Sequence, residues 1–240
     1  MNILIWGSSG TTGKKIFQIA KKDLYWTTVE GITSKEPKDV LSRKYDVVID
    51  FSHPNAVDNV LDFCSKTNTP LVIGTTGYSK EQIIAIQNAA KIIPILLASN
   101  MSLGMNILFS LVESVARSLG DKADIEVIEA HHNRKKDAPS GSAKTIVECI
   151  EKGLGQSAKH QYGRVGQSLR EKGEIGIHAI RGGNIVGTHE VNFISDLETI
   201  KVTHEAHDRT VFAQGALEAA KYLIGKSNGQ YSMKDVLDLN

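Results

Sequence analysis

The sequence predicts an α/β protein: an N-terminal Rossmann-like domain with a parallel sheet, then a second, sheet-rich α+β domain. Three observations carry this. Between Asn2 and Met101, short apolar runs alternate with helical stretches, the pattern of a parallel sheet covered on both faces. The first run meets a glycine-spaced turn and then a helix, the context a dinucleotide-binding loop needs. From Asp124 the pattern changes to strands with few helices between them.

Asn2 to Trp6 is a short apolar strand. It enters Gly7-Ser8-Ser9-Gly10-Thr11-Thr12-Gly13 and a helix from Lys14 to Lys22. Glycines there let the backbone approach a pyrophosphate, whose charge the helix N-terminus stabilises. The spacing is G-x-x-G-x-x-G, where the common fingerprint would put glycine at Ser9 and Thr12. Thr28 to Thr33 is a second strand, ending in Ser34-Lys35. A hydroxyl and a cation at that end suit a 2′-phosphate better than a carboxylate would. Tyr45 to Phe51 is a buried strand, and Pro54 opens the helix after it. Leu71-Val72-Ile73 ends in Gly74-Thr75-Thr76-Gly77, and Ser79 caps a helix to about Lys91. Ile92 to Leu97 ends in Ala98-Ser99-Asn100-Met101. Ligands of such sheets lie beyond the carboxyl ends of the strands, and these polar or small ends share one edge.

Leu103 to Leu119 is a long helix stopped by Gly120. Ile125 to Ile128 is a strand, and Ser142 to Lys152 a helix stopped by Gly153. After a glycine-rich loop, Glu174 to Arg181 and Ile185 to Ile194 read as a hairpin across Gly182-Gly183-Asn184. Ile200 to His204 adds a strand, and Arg209 to Ile224 a closing helix stopped by Gly225.

The bulk numbers exclude several classes. A net charge of +1 gives no case for nucleic acid or an anionic membrane as partner. No apolar run approaches the ~20 residues that span a bilayer, and the N-terminus runs straight into a strand with no signal-peptide pattern. The two cysteines, Cys64 and Cys149, fall in helical patterns. They read as free thiols in a reducing cytoplasm.

One stretch concentrates chemistry: Glu129-Ala130-His131-His132-Asn133-Arg134-Lys135-Lys136-Asp137-Ala138-Pro139-Ser140-Gly141-Ser142-Ala143. The imidazoles leave a strand end, and a helix capped by Ser140 points its N-terminus back toward them. The backbone N–H groups of Gly141 and Ser142 at the helix start suit a small anion. His131 or His132 can move protons near neutral pH, and Lys135 or Lys136 can hold an anion or donate a proton.

That stretch resembles the signature of the dihydrodipicolinate reductase family. Gly7-x-x-Gly10-x-x-Gly13, Asp50-Phe51-Ser52, Gly74-Thr75-Thr76-Gly77, Ser99-Asn100-Met101-Ser102, Gly182-x-Asn184-Ile185-Val186-Gly187-x-His189 and Thr203-His204-x-Ala206 resemble its other motifs in order. The resemblance implies NADH- or NADPH-dependent reduction of a cyclic dicarboxylate on the way to lysine and diaminopimelate. It implies residues 1–102 with 209–240 for the dinucleotide, and 103–208 for substrate and assembly into a homotetramer. His131 is then the proton donor or acceptor and Lys135 a proton donor. His132, Ser140, Gly141 and Ser142 become substrate contacts. Gly7, Ser8, Ser9, Gly10, Thr11, Thr12, Ser34, Lys35, Gly74, Thr75, Thr76, Ala98, Ser99, Asn100 and Met101 become cofactor contacts. No metal is expected. Ser142 stands where the family often has Thr and keeps the hydroxyl. Ser34 replaces a frequent acidic residue, so strict NADH preference is not implied.

Three other readings weigh less. A semialdehyde dehydrogenase wants a nucleophilic cysteine at a strand end, and Cys64 and Cys149 sit in mid-helix. A cofactor-sensing protein with a dead site would not need the full His131, Lys135 and Gly141-Ser142 set. A metallohydrolase would use His131, His132, His204 and His207, yet the adjacent pair on an extended segment points opposite ways and His204 and His207 read better as strand-end residues.

Overall fold

The computed structural model describes residues 1–33 and 38–239. The chain divides into two compact units, Met1–Leu103 with Arg209–Asn240, and Gly104–Asp208.

In the first unit six parallel strands form one sheet: β1 (Asn2–Trp6), β2 (Thr28–Ile32), β3 (Val47–Asp50), β4 (Leu71–Ile73), β5 (Pro94–Leu97) and, from the C-terminal segment, β11 (Gly229–Tyr231). Their spatial order is β11-β5-β4-β3-β1-β2. The direction of propagation reverses beside β1, where the third strand is laid down on the side opposite β2. Successive residues point to opposite faces, and both faces are buried. Ile3, Ile5, Val47, Ile49 and Val72 pack with helices α1 (Thr11–Ala20) and α6 (Thr210–Leu223). Leu4, Val48, Leu71 and Ile73 pack with α2 (Val57–Thr67) and α3 (Lys80–Ala89). That two-sided burial is why these strands read as continuous apolar runs. Pro94 is the first residue of its strand, the position that tolerates a missing N–H. The strand therefore starts two residues later than the apolar run suggests. A capping box of Ser79 and Gln82 starts α3.

The second unit holds a five-stranded mixed sheet in the order β10-β9-β6-β8-β7. Its strands are β6 (Asp124–His131), β7 (His160–Tyr162), β8 (Ile175–Arg181), β9 (Gly187–Ile194) and β10 (Thr199–Ala206). Helices α4 (Leu103–Leu119) and α5 (Gly141–Leu154) contribute Leu108, Val112, Ile146 and Ile150 to one core. Ile125, Val127, Ile175, Ile177, Val191 and Phe193 meet them from the sheet.

Two expectations are corrected here. The segments 174–181 and 185–194 are not a hairpin, because β6 lies between β8 and β9 and pairs with both. The Gly182-Gly183-Asn184 connection instead folds over the end of β6. Gly182 N–H donates to the His131 carbonyl at 2.9 Å, and Asn133 N–H donates to Gly183 at 3.2 Å. The hairpin of this sheet is β9–β10, turning at Ser195–Glu198. The helix after Ser140 does not stop at Gly153 either. A Cβ there would lie 2.3 Å from the Glu113 carbonyl oxygen, so Gly153 is the point where α5 meets α4. Gly155, at φ +72°, ends the helix in the left-handed conformation. Strand β11 and the short α7 (Met233–Val236) lie in a tail for which no strand was foreseen.

Candidate active site

Strand β6 alternates strictly, with Ile125, Val127, Glu129 and His131 all on its buried face. The first two belong to the core and the last two carry that row out to the strand's carboxyl end. Pairing sets Glu129 opposite His189 of β9 and His131 opposite Arg181 of β8. A polar cluster results at one end of an apolar layer.

Glu129 is the centre of this cluster and is fully buried. One of its oxygens lies 2.6 Å from His131 Nδ1. Arg181 donates to both of its oxygens, at 2.7 and 2.8 Å, and the Ser140 backbone N–H donates at 3.1 Å. Burial pushes the Glu129 carboxyl upward, but the bonds from His131 and Arg181 outweigh it and bring it down to about 2. The carboxylate is therefore ionised and acts only as an acceptor. His189 is also buried. Its Nε2 lies 3.2 Å from Ser140 Oγ, and its ring meets that of His131 edge-on at 5.2 Å. Burial, then the neighbouring His131, lowers its pKa to about 4 and keeps the ring neutral.

Beyond the strand the chain turns tightly, with Lys135 N–H donating to the His132 carbonyl at 3.1 Å. The structure separates the two lysines. Lys135 is folded in, 21% exposed, with Nζ 3.0 Å from Asp137, whereas Lys136 is exposed. Ser140 caps α5 by accepting the Ala143 N–H at 3.2 Å. Gly141 and half-exposed Ser142 form the open first turn.

In the first unit, Gly7 takes φ +84° at the end of β1, and a Cβ on Gly13 would lie 2.1 Å from the Gly7 carbonyl oxygen. These two positions fix a turn in which Ser9, Gly10 and Thr11 stay exposed, Thr12 and Ser8 half-buried. Gly10 precedes α1, and no side chain caps its first turn. A cleft of about 970 Å³ opens here, lined by Gly7, Ser9, Gly10, Thr33, Ser52 and His53. Behind it, buried Asp50 accepts from Thr75 Oγ1 at 2.8 Å, from Tyr78 and from Ser52. Burial raises its pKa against these bonds. Thr75 is thus turned inward, while Gly74 is half-buried and Thr76 exposed. Ala98 extends the ladder onto Ile73, Ser99 is exposed, Asn100 accepts the Ser102 N–H at 2.9 Å, and Met101 is buried. Ser34 and Lys35 lie outside the described residues.

The family model described as dihydrodipicolinate reductase, N-terminus, matches residues 1–101, and the one described as dihydrodipicolinate reductase, C-terminus, matches residues 104–237. The chain belongs to the dihydrodipicolinate reductase family. A 4-hydroxy-tetrahydrodipicolinate reductase from Alkaliphilus metalliredigens is 65% identical over the full length of both chains. One from Alkaliphilus oremlandii is 62% identical over all of this chain and 99% of its own. Among solved structures, a dipicolinate-bound dihydrodipicolinate reductase from Paenisporosarcina sp. TG-14 has the same fold, with TM-score 0.76 and 20% identity over 98% of each chain. An amine dehydrogenase from Mycobacterium smegmatis matches at TM-score 0.61 and 9% identity, over 98% of this chain and 95% of its own. It shares the fold only.

For this reductase-family chain, the sequence reading named the histidines, lysine and Ser140–Ser142 turn, which the second unit brings to one strand end and one helix start. It gave no role to Glu129, Arg181 or His189. Glu129 could have been found by strand period, two residues before His131 on the same face. Arg181 and His189 come from other strands, and only the register brings them in.

Proposed function

We propose that His131 and Lys135 handle the protons of the family reaction and that Ser140, Gly141, Ser142 and His132 hold a substrate carboxylate. The activity is that of the family: NAD(P)H-dependent reduction of 4-hydroxy-tetrahydrodipicolinate to tetrahydrodipicolinate, a step of lysine and diaminopimelate biosynthesis. The observation that carries the residue roles is the strand-to-helix turn from His131 to Ser142. It joins a buried imidazole, an inward lysine and an open helix N-terminus. The relative with dipicolinate bound supports a dicarboxylate ligand.

The first unit fits a nicotinamide dinucleotide. No side chain caps the first turn of α1, where a pyrophosphate needs backbone N–H groups, and the cleft beside it has the size of a cofactor site. Gly7, Ser8, Ser9, Gly10, Thr11 and Thr12 would hold the pyrophosphate, with Gly74 to Thr76 and Ala98 to Met101 alongside. Thr75 serves through its backbone, since its hydroxyl is spent on Asp50. When bound, the reduced nicotinamide supplies the hydride.

Net, the step takes up one hydride and one proton and releases one water. The proton must come from a positioned acid, because reduction of a conjugated imine leaves electron-rich carbon and nitrogen. That role is assigned to His131 Nε2 and Lys135 Nζ, supported by their shared turn. The carboxylate rests on the N–H groups of Gly141 and Ser142, with Lys135 adding charge.

The reading extends to cofactor choice and assembly. Ser34 and Lys35 put a hydroxyl and a cation after β2, so NADPH serves at least as well as NADH. A kcat/KM ratio favouring NADH tenfold would overturn this. The second sheet leaves Ile180, Ile194 and Ile200 exposed, with β10 as an open edge. A homotetramer built on that sheet covers them, and light scattering at micromolar concentration tests it. Among the described residues no helix is long and apolar enough to cross a membrane, and a cytoplasmic location fits the pathway. The central test follows NAD(P)H oxidation with substrate supplied by a synthase from pyruvate and aspartate semialdehyde. No turnover there would overturn the assignment.

A further inference from the structure

Glu129 has all its bonding directions fixed by groups from three parts of the chain. His131 lies on its own strand, Arg181 on β8, and Ser140 at the start of α5. Arg181 is itself anchored, since Nη2 also donates to the Asp137 carbonyl at 2.7 Å. Facing this group are His189 from β9 and, through the turn, Lys135 and Asp137. An ionised carboxylate can only accept, so His131 Nδ1 at 2.6 Å must carry the hydrogen. The other ring nitrogen, Nε2, then keeps its lone pair. It makes no hydrogen bond among the described residues and faces Gly187, where even a Cβ would come within 3.2 Å.

We propose that Glu129, clamped by Arg181, is a positioning residue for the reduction. It locks His131 in the tautomer with hydrogen on Nδ1, so that Nε2 is the atom that takes up and delivers the proton. Through its other oxygen it fixes the Ser140 end of the anion cradle. One buried carboxylate thereby sets the proton-handling group and the anion-binding turn in mutual register. When Nε2 is protonated, the same carboxylate faces the imidazolium across one hydrogen bond and stabilises it. Arg181 helps His131 keep Glu129 ionised and stops its carboxyl plane from rotating, since two parallel bonds fix that plane. This inference rests on the reading of His131 as the proton-handling residue.

The experiment is a double-mutant cycle with Glu129→Gln and His131→Gln, with purified protein checked by thermal melting. Glutamine keeps an oxygen for the Ser140 N–H but can present an N–H to His131, which favours the wrong tautomer. Glu129→Gln is expected to lower kcat by ~10²- to 10³-fold, with the substrate KM within about threefold. In the His131→Gln background it should add less than about threefold. Imidazole ¹⁵N spectra should show Nδ1–H at His131 in the parent and a shift toward Nε2–H in Glu129→Gln. Equal losses in both backgrounds, or an unchanged tautomer, would mean that Glu129 only supports the fold. A loss in His131→Gln with none in Glu129→Gln would overturn this inference alone. A near-normal His131→Gln would overturn the reading of His131 itself. If Glu129→Gln does not fold, Arg181→Lys takes its place. It should lower kcat roughly three- to tenfold, again only when His131 is present, and an unchanged kcat would overturn the clamp.

Discussion

Replacing Lys135 and Lys136 one at a time tests the mechanism most directly. Both are cations in the same turn, so bulk electrostatics treats them alike. The structure does not: Lys135 folds in beside Asp137 with 21% of its side chain exposed, while Lys136 stands in solvent. An acid placed on the reacting atom contributes ~10²- to 10⁴-fold, about 3 to 5 kcal/mol at roughly 1.4 kcal/mol per tenfold. The Lys135–Asp137 ion pair, with Asp137 open to water, is worth no more than about 1 kcal/mol to folding. Loss of stability therefore cannot imitate the catalytic effect. In the coupled NAD(P)H assay, Lys135→Ala should lower kcat/KM by ~10² to 10⁴ and Lys136→Ala by only a few fold. His131→Ala should resemble Lys135→Ala, whereas His132→Ala should act mainly on KM. All four should bind NADPH like the parent, since the Gly7 to Gly13 turn belongs to the other compact unit. Small, equal effects at Lys135 and Lys136 would reduce the turn to a positive surface and refute the mechanism.

Three further outcomes follow from the packing. His189 is held near 4, below its ordinary 6.5. Between those values the unfolded chain binds a proton that the folded one refuses, so stability falls on acidification by up to about 3 kcal/mol. Glu129, held near 2 against an ordinary 4.5, adds a second loss of the same sign in the lower window. Melting curves should show His189→Gln flattening the pH 6.5-to-4 segment and leaving the lower one; an unchanged profile would place the titration elsewhere. Gly153→Ala drives a Cβ into the Glu113 carbonyl and should cost about 1 to 3 kcal/mol, more than Gly155→Ala, which meets open space and pays only for its positive φ. Denaturant titration ranks the two. Gly13→Ala would push on the Gly7 carbonyl and should weaken NADPH binding, read by fluorescence titration, with the substrate KM little changed; unchanged cofactor affinity would remove that turn from the cofactor site.

The parallel sheet was legible because burial on both faces makes each strand a continuous apolar run. The β11 strand was not: Gly229-Gln230-Tyr231 has no apolar run, and its place beside β5 comes from pairing. The supposed hairpin at Gly182 failed for a related reason. A short glycine turn between two strands implies adjacency only if nothing else competes for the edge. Here β6, from more than forty residues earlier, takes the position between them and offers each strand a longer ladder. Gly153 misled in the same way, because a glycine required for helix–helix approach looks the same in sequence as one required by a helix end.

The candidate site shows the same division between local and long-range information. His131, Lys135 and the Ser140–Ser142 turn lie within one continuous segment, so they could be nominated together from the sequence, with the family resemblance choosing among the neighbouring histidines and lysines. What makes that chemistry directional could not. A histidine at a strand end can present either nitrogen, and its tautomer is chosen by whatever accepts from the other one. In this chain the acceptor is Glu129, and its ionisation is supported by His131 itself and by Arg181, fifty-two residues away and aligned by strand register. Moving β8 by one residue along β6 would turn Arg181 to the opposite face and leave a buried carboxylate without its cation. Such a group would be driven toward the neutral acid, lose its hold on Nδ1–H, and free the imidazole to choose its own tautomer. If His131 handles the proton as proposed, the register of one strand pair is part of that machinery, although neither strand's sequence encodes it by itself.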